Sequence, residues 1–148
     1  MRLDLPADLR CVHEMHIPVR WGDMDALGHV NNTVYFRFME SLRIDWLHAS
    51  GAWSGAGEQD AQQGPVIVNA FCNFLQQVDF PATLIGRHYL GAIGRSSVDT
   101  YARFVRADAP DVVVAEGGAT VVWSDYRARR AIGLPDDLRA RLLQVAAG

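Results

Sequence analysis

Asp23, Asp25, Gly28, His29, Asn31 and Asn32 crowd into the run Val19-Arg20-Trp21-Gly22-Asp23-Met24-Asp25-Ala26-Leu27-Gly28-His29-Val30-Asn31-Asn32-Thr33-Val34-Tyr35-Phe36. An ionised carboxylate can attack an acyl carbon or take a proton from water. If it stands just ahead of a helix, the unpaired amides of the first turn can hold a developing oxyanion. Such a set suits acyl transfer or hydrolysis. The same helix start would favour the ionised form of the acid. Gly28 permits a tight loop and leaves room beside the backbone, and Asn31, Asn32 or Thr33 can cap the helix. On residue type alone the simplest role of Asp23, and of Asp25 as well, is a turn-forming or capping side-chain bond. His29 can move a proton near neutral pH or serve only the structure.

The flanking elements have to position this loop. Ahead of it, His13, Met15, Ile17, Val19 and Trp21 alternate with more polar residues, which predicts a strand over 12–21, and Pro18 favours an edge position. Behind it the period becomes helical over 32–49, with Tyr35, Phe38, Met39, Leu42, Trp46 and Ala49 at three- and four-residue steps. Gly51 can close that helix. Residues 51–64, rich in Gly, Ala and Gln, read as a loop whose glycine spacing does not match a dinucleotide-binding turn. Extended segments follow at 65–78, 82–93, 97–106 and 112–123, with Pro81, Gly94-Arg95 and Ala109-Pro110-Asp111 at the turns. Residues 135–146 carry signals of a second helix, with proline at the start and Leu138, Leu142 and Val145 on one face. A strand, a long helix and then a series of antiparallel strands make an α+β protein in which one helix covers one sheet.

Composition narrows the classes. The 148 residues fit a single domain over 1–148, large enough for a core without staples. A formal charge of -3 and a pI near 5.9 argue against a dedicated nucleic-acid surface. Cys11 and Cys72 form neither a disulfide framework nor a metal knuckle. No apolar run approaches the roughly 18 residues of a membrane span, and no signal sequence is visible, so a cytoplasmic location is expected.

The run Asp23-x-Asp25-Ala26-x-Gly28-His29-Val30-Asn31-Asn32 resembles the motif of hotdog-fold thioesterases, the family typified by 4-hydroxybenzoyl-CoA thioesterase. The likeness extends through the long helix and the strand series to Gly94-Arg95-Ser96-Ser97. It implies a hotdog fold, an antiparallel sheet wrapped around one long central helix, and hydrolysis of an acyl-CoA to a free acid and coenzyme A. By position, Asp25 is the nucleophile or general base and the Asn32 amide is the oxyanion donor, with Thr33 beside it and Gly28 leaving substrate space. His29 is a further catalytic candidate. In the resembling plant acyl-carrier-protein thioesterases a fuller Asp-x-Asn-x-His-x-Asn-Asn constellation is used, and here Leu27 stands at its asparagine. The resemblance also puts Arg95, with Ser96 and Ser97, where family members meet the phosphates of coenzyme A. An arginine fork suits that task, although Gly94 and Ser96 replace a denser basic run of the best-known aromatic-CoA member. The His-Val-Asn-Asn form is closer to the fatty-acyl branch than to the aromatic one. No metal or redox cofactor is implied, and a homodimer or homotetramer is.

Two other functions share this fold: a thioesterase acting on acyl carrier protein, and a non-enzymatic acyl-CoA-binding protein. The first requires a basic docking patch, for which Arg127, Arg129 and Arg130 beside Tyr126 are the candidate, though a charged surface turn is the simpler reading. The second would have dispensed with Asp25. A hotdog dehydratase fits less well, because that chemistry pairs histidine with an acid on the helix. His13-Glu14-Met15-His16 is one residue short of a zinc-protease motif and falls on a strand, where its histidines face opposite ways. Cys72 reads as a small core residue, Glu40 as a surface or capping-pair acid, and Trp21, Tyr35, Phe36, Phe38, Phe71 and Phe74 as core, with some of them lining an acyl tunnel.

Overall fold

The structure, a computed structural model, describes residues 1–52 and 62–148. Most of the loop expected at 51–64 lies outside them. Strand β1 (Arg10–Pro18) forms an edge, as its proline favours, and brings Ile17 into the core. The ladder stops at Pro18, paired with Thr83, and the chain turns through a 3-10 turn at Trp21–Asp23. The alternation therefore does not continue to Trp21, which is 74% exposed rather than core.

Helix α1 (Asn32–Ala49) has the bounds its periodicity predicts. Asn31 caps it by accepting the Thr33 N–H at 2.9 Å, and Gly51, at φ +67°, follows its C-terminus. Tyr35, Phe38, Met39, Leu42, Trp46 and Leu47 form the buried stripe. One charged residue, Arg43, is buried among them. Ala49 is exposed.

The remaining elements are β2 (Gln63–Phe74), β3 (Thr83–Ile93), β4 (Ser97–Arg106), β5 (Ala109–Asp125), the two-residue β6 (Arg130–Ala131) and α2 (Asp136–Ala147). The antiparallel sheet runs in the order β1-β3-β4-β5-β2, with β6 paired to β5. Its concave face closes on α1. Near the middle of the helix, Leu42 packs with Leu84, Phe104 and Val114, all 0% exposed. Toward the C-terminal half, Trp46 and Leu47 pack with Val98, Val121 and Trp123 of the sheet and Leu138 and Leu142 of α2. Full burial of each such side chain contributes roughly 1.5–3 kcal/mol. Glycine at 117 on β5 lets the sheet come close to the helix, since a Cβ there would meet the Phe71 carbonyl, the Cys72 Cα and the Met39 sulfur. This is the hotdog arrangement, held at one end by a second helix. No helix among the described residues is long and apolar enough to cross a membrane.

Candidate active site

Five hydrogen bonds hold the loop between β1 and α1. Asp23 Oδ2 accepts the Arg20 N–H at 2.8 Å and the Asp23 carbonyl accepts the Asn31 N–H at 2.9 Å, so Asp23 shapes the turn. The Val78 carbonyl accepts the Val30 N–H at 2.7 Å, tying the loop to the segment after β2. The Asp25 carbonyl accepts the Gly28 N–H and the Asp25 N–H donates to the His29 carbonyl, closing a tight loop with Gly28 at φ +82°.

This loop presents the Asp25 carboxylate in a fixed pose. Its Oδ1 accepts the Leu27 N–H at 2.9 Å and its Oδ2 accepts Asn31 Nδ2 at 2.8 Å. Asn31 Oδ1 in turn accepts both the N–H and the hydroxyl of Thr33, at 2.9 and 2.5 Å. One amide side chain thus joins the acid to the first turn of α1. These donors, Asn31 first and the Leu27 amide second, hold the Asp25 carboxyl below the usual carboxylate range, with His29 adding a smaller favourable field. The Asn32 N–H finds no acceptor among the described residues, as expected of an amide in a first helical turn.

Asp25, His29 and Asn32 line one cleft of ≈ 840 Å³, whose other walls include Tyr35, Phe74 and Val78. It joins a carboxylate, an imidazole and an unpaired amide, enough to activate a nucleophile, move a proton and hold an oxyanion. Another cleft, of ≈ 700 Å³ between the C-terminal ends of α1 and α2, is lined by Arg10 and Arg141 and contains no aspartate or glutamate among its described lining residues.

Arg95, Ser96 and Ser97 lie elsewhere in the chain. The carbonyls of Arg95 and Ser96 accept the N–H groups of Leu134 and Trp123, at 2.9 and 2.7 Å, which docks this turn beside the C-terminal end of α1. Asp25 stands at the other end of an 18-residue helix, about 27 Å long. Within one chain the β3–β4 turn does not meet the Asp25 cleft.

The other sequence candidates resolve simply. Glu40 is exposed and accepts Arg37 at 2.6 Å. His13 bonds Asp45 at 2.7 Å, and no metal-ligating cluster occurs among the described residues. Cys72 packs against the core, and burial pushes its thiol up to about 12. Arg127 and Arg129 sit on the exposed β5–β6 turn and Arg130, also exposed, opens β6. Tyr35 and Phe38 are buried and Phe71 is half-buried, whereas Phe36 and Phe74 are 37% and 46% exposed. Phe74 is a cleft wall, placed there by the strand end reaching Tyr35, 5.6 Å away ring to ring.

Comparison with known proteins decides the family. The model of the thioesterase-like superfamily matches residues 19–142. The chain belongs to that superfamily. Its reaction class is therefore thioester hydrolysis, carried out on the hotdog fold described above. Among curated proteins it is 26% identical over 133 residues to the long-chain acyl-CoA thioesterase FadM of Escherichia coli K12, covering 89% of this chain and 98% of that one. Among solved structures, the PA2801 protein of Pseudomonas aeruginosa superposes with a TM-score of 0.80 at 37% identity, over 88% of this chain and 98% of the other. The gentisyl-coenzyme A thioesterase BH1999, 23% identical, shares the fold with a TM-score of 0.78 over 88% and 99% of the two chains.

Proposed function

We propose that this thioesterase hydrolyses fatty-acyl-CoA to a free acid and coenzyme A, with Asp25 as the activating group. The observation that carries the reading is the Asp25 carboxylate, pinned by Asn31 and the Leu27 amide, sharing a cleft with the unpaired Asn32 N–H. The fatty-acyl preference is supported by the likeness to an enzyme named as a long-chain acyl-CoA thioesterase. In the general-base route, Asp25 takes a proton from water while the water oxygen bonds to the thioester carbon. The carbonyl oxygen becomes an oxyanion at the Asn32 N–H. Collapse breaks the C–S bond, and the thiolate takes up a proton through Asp25 or His29. In the nucleophilic route Asp25 first forms an anhydride, expelling the thiolate, and water then cleaves it. Neither route calls for a metal or redox cofactor.

The test is thiol release over a panel of acyl-CoAs, from short to long and including aromatic ones, with acyl carrier protein thioesters alongside. Turnover centred on fatty-acyl-CoA is expected. Binding of acyl-CoA with no hydrolysis of any member would replace the enzyme by a binding protein, and turnover confined to carrier-protein esters would move the substrate class.

A homodimer is part of the proposal, because β2 is an edge strand with Val66, Ile67 and Val68 39%, 42% and 57% exposed. Long apolar edges persist in soluble proteins only when covered, and a second copy of β2 would supply both the cover and the backbone partners. Such a partner also gives the turn at Arg95, Ser96 and Ser97 a way to reach coenzyme A bound at Asp25 of another chain. The mass in solution at micromolar concentration should be that of a dimer or tetramer, and Val68→Lys should shift it toward monomer; a wild-type monomer would refute the assembly.

A further inference from the structure

Arg43 has no hydrogen-bond or ion-pair partner among the described residues, is 7% exposed, and leaves its Nε buried without an acceptor. An uncompensated buried guanidinium is costly, and one partner atom changes that balance strongly. Two titratable groups act on its charge, and neither neutralises it. Glu40, one turn back, is bonded to Arg37. His88, stacked on Trp46, is kept neutral by burial that pushes it down to about 3, and its own Nε2 lacks a partner. On its inner side Arg43 borders an apolar void of ≈ 20 Å³ beside Trp46, Val98 and Trp123, room for about one water.

On its other side Arg43 borders a groove of ≈ 310 Å³ between α1 and the inner face of β2. Thr33, Phe36, Arg37, Met39 and Glu40 of the helix and Ile67 and Ala70 of the strand form its walls, with Arg37 and Glu40 paired to each other. Asn32, Phe36, Met39 and Arg43 stand at i, i+4, i+7 and i+11, one stripe of a helix. That stripe runs from the unpaired Asn32 amide to the orphaned guanidinium over about 16 Å. Phe36 and Met39 make its middle apolar, the Arg37–Glu40 ion pair also lines the groove, and its far end is a cation with no partner among the described residues.

We propose that this groove takes the acyl tail of the substrate and that Arg43 pairs with a carboxylate at the tail's far end, so that ω-carboxyacyl thioesters are a preferred class. The proposal rests on the thioesterase reading of Asp25 and Asn32, which fixes the reacting end of the chain. A planar guanidinium accepts a carboxylate through two parallel hydrogen bonds. A methyl end at the same place would leave Arg43 without a partner among the described residues.

The decisive comparison uses matched CoA esters of one chain length: octanoyl against suberyl, decanoyl against sebacyl, dodecanoyl against dodecanedioyl. For the wild type, kcat/KM should favour the ω-carboxyl member at one or more of these lengths. In Arg43→Met the ratio of ω-carboxyl to methyl-ended kcat/KM should fall by about thirtyfold or more. Arg43→Lys keeps the charge without the fork and should lie between. A wild type that favours the methyl end at every length overturns the proposal, as does a ratio unchanged in either variant. If no ester is hydrolysed, the thioesterase reading fails by itself, and calorimetry of free sebacate against decanoate on the same proteins decides the groove. Tighter sebacate binding lost in Arg43→Met supports it, and equal binding of both acids refutes it. The Lys variant, compared in the same way, carries the test if the Met variant does not fold.

Discussion

Asp25→Asn should lower kcat for acyl-CoA hydrolysis by about a thousandfold at neutral pH, with a much smaller change in KM. Asparagine has the same shape but can neither accept a proton from water nor form the anhydride. It also cannot keep both bonds of the native carboxylate, because one of its two terminal atoms is now a donor facing either Asn31 Nδ2 or the Leu27 N–H. Asp25→Glu separates these effects: it restores an acid whose added methylene displaces it from Asn31, and partial activity is expected. Steady-state kinetics with a binding measurement for a non-hydrolysable acyl-CoA analogue check the prediction. An asparagine variant retaining more than about a tenth of wild-type kcat would remove Asp25 from the chemistry. In a single turnover in ¹⁸O-labelled water, label in the Asp25 side chain establishes an anhydride opened at the aspartyl carbon, since it cannot arise from general-base attack on the substrate.

What the sequence made legible follows the range of the interactions involved. The bounds of α1, a cap within residues 31–33 and the turn role of Asp23 are set within a few residues, and they appear as read, with Asn31 supplying the cap. The strands were placed in order, but their ends moved where pairing, and not local pattern, decides them. Pro110 lies within β5, because Ala107 and Asp108 suffice for the turn. Trp21 continues the β1 alternation in sequence, yet the ladder has already ended at Pro18. Phe36 sits on a helix face that β2 only partly covers, so its exposure depends on an edge that a periodicity cannot show. Arg43 was hidden for the opposite reason: a charged residue in a helical pattern is normally assigned to solvent, and its burial reflects how the sheet closes over the stripe. Within the loop before α1 the acid and the amide were visible as residue types. Their link through the Asn31 side chain was not, since Asn31 could equally have capped the helix alone.

That link gives the second large effect. Asn31→Ala should reduce kcat at neutral pH by roughly a hundredfold, because loss of the Asn31 bond frees the Asp25 carboxylate to rotate away from the reacting carbon. The pH dependence carries the diagnostic sign. Activity that needs ionised Asp25 is lost as pH falls through its pKa, and in the wild type this acid limb lies below the ordinary carboxylate range. Removing the Asn31 donor, the largest cause of that depression, moves the limb to higher pH. The same linkage acts on stability: ionised Asp25 favours the folded chain above the unfolded carboxyl's titration, and the contribution fades as pH drops through the folded value. Asn31→Ala also removes a helix cap worth about 1 kcal/mol, which alone would lower the melting temperature without touching the pH profile. Asn31→Ser keeps the two roles apart, since serine caps as well as asparagine but is too short to reach Asp25. Its melting temperature should stay near that of the wild type while its acid limb shifts with that of the alanine variant. If instead both variants keep the wild-type limb and only alanine lowers stability, Asn31 is a cap and nothing more, and the group titrating on the acid side is not Asp25.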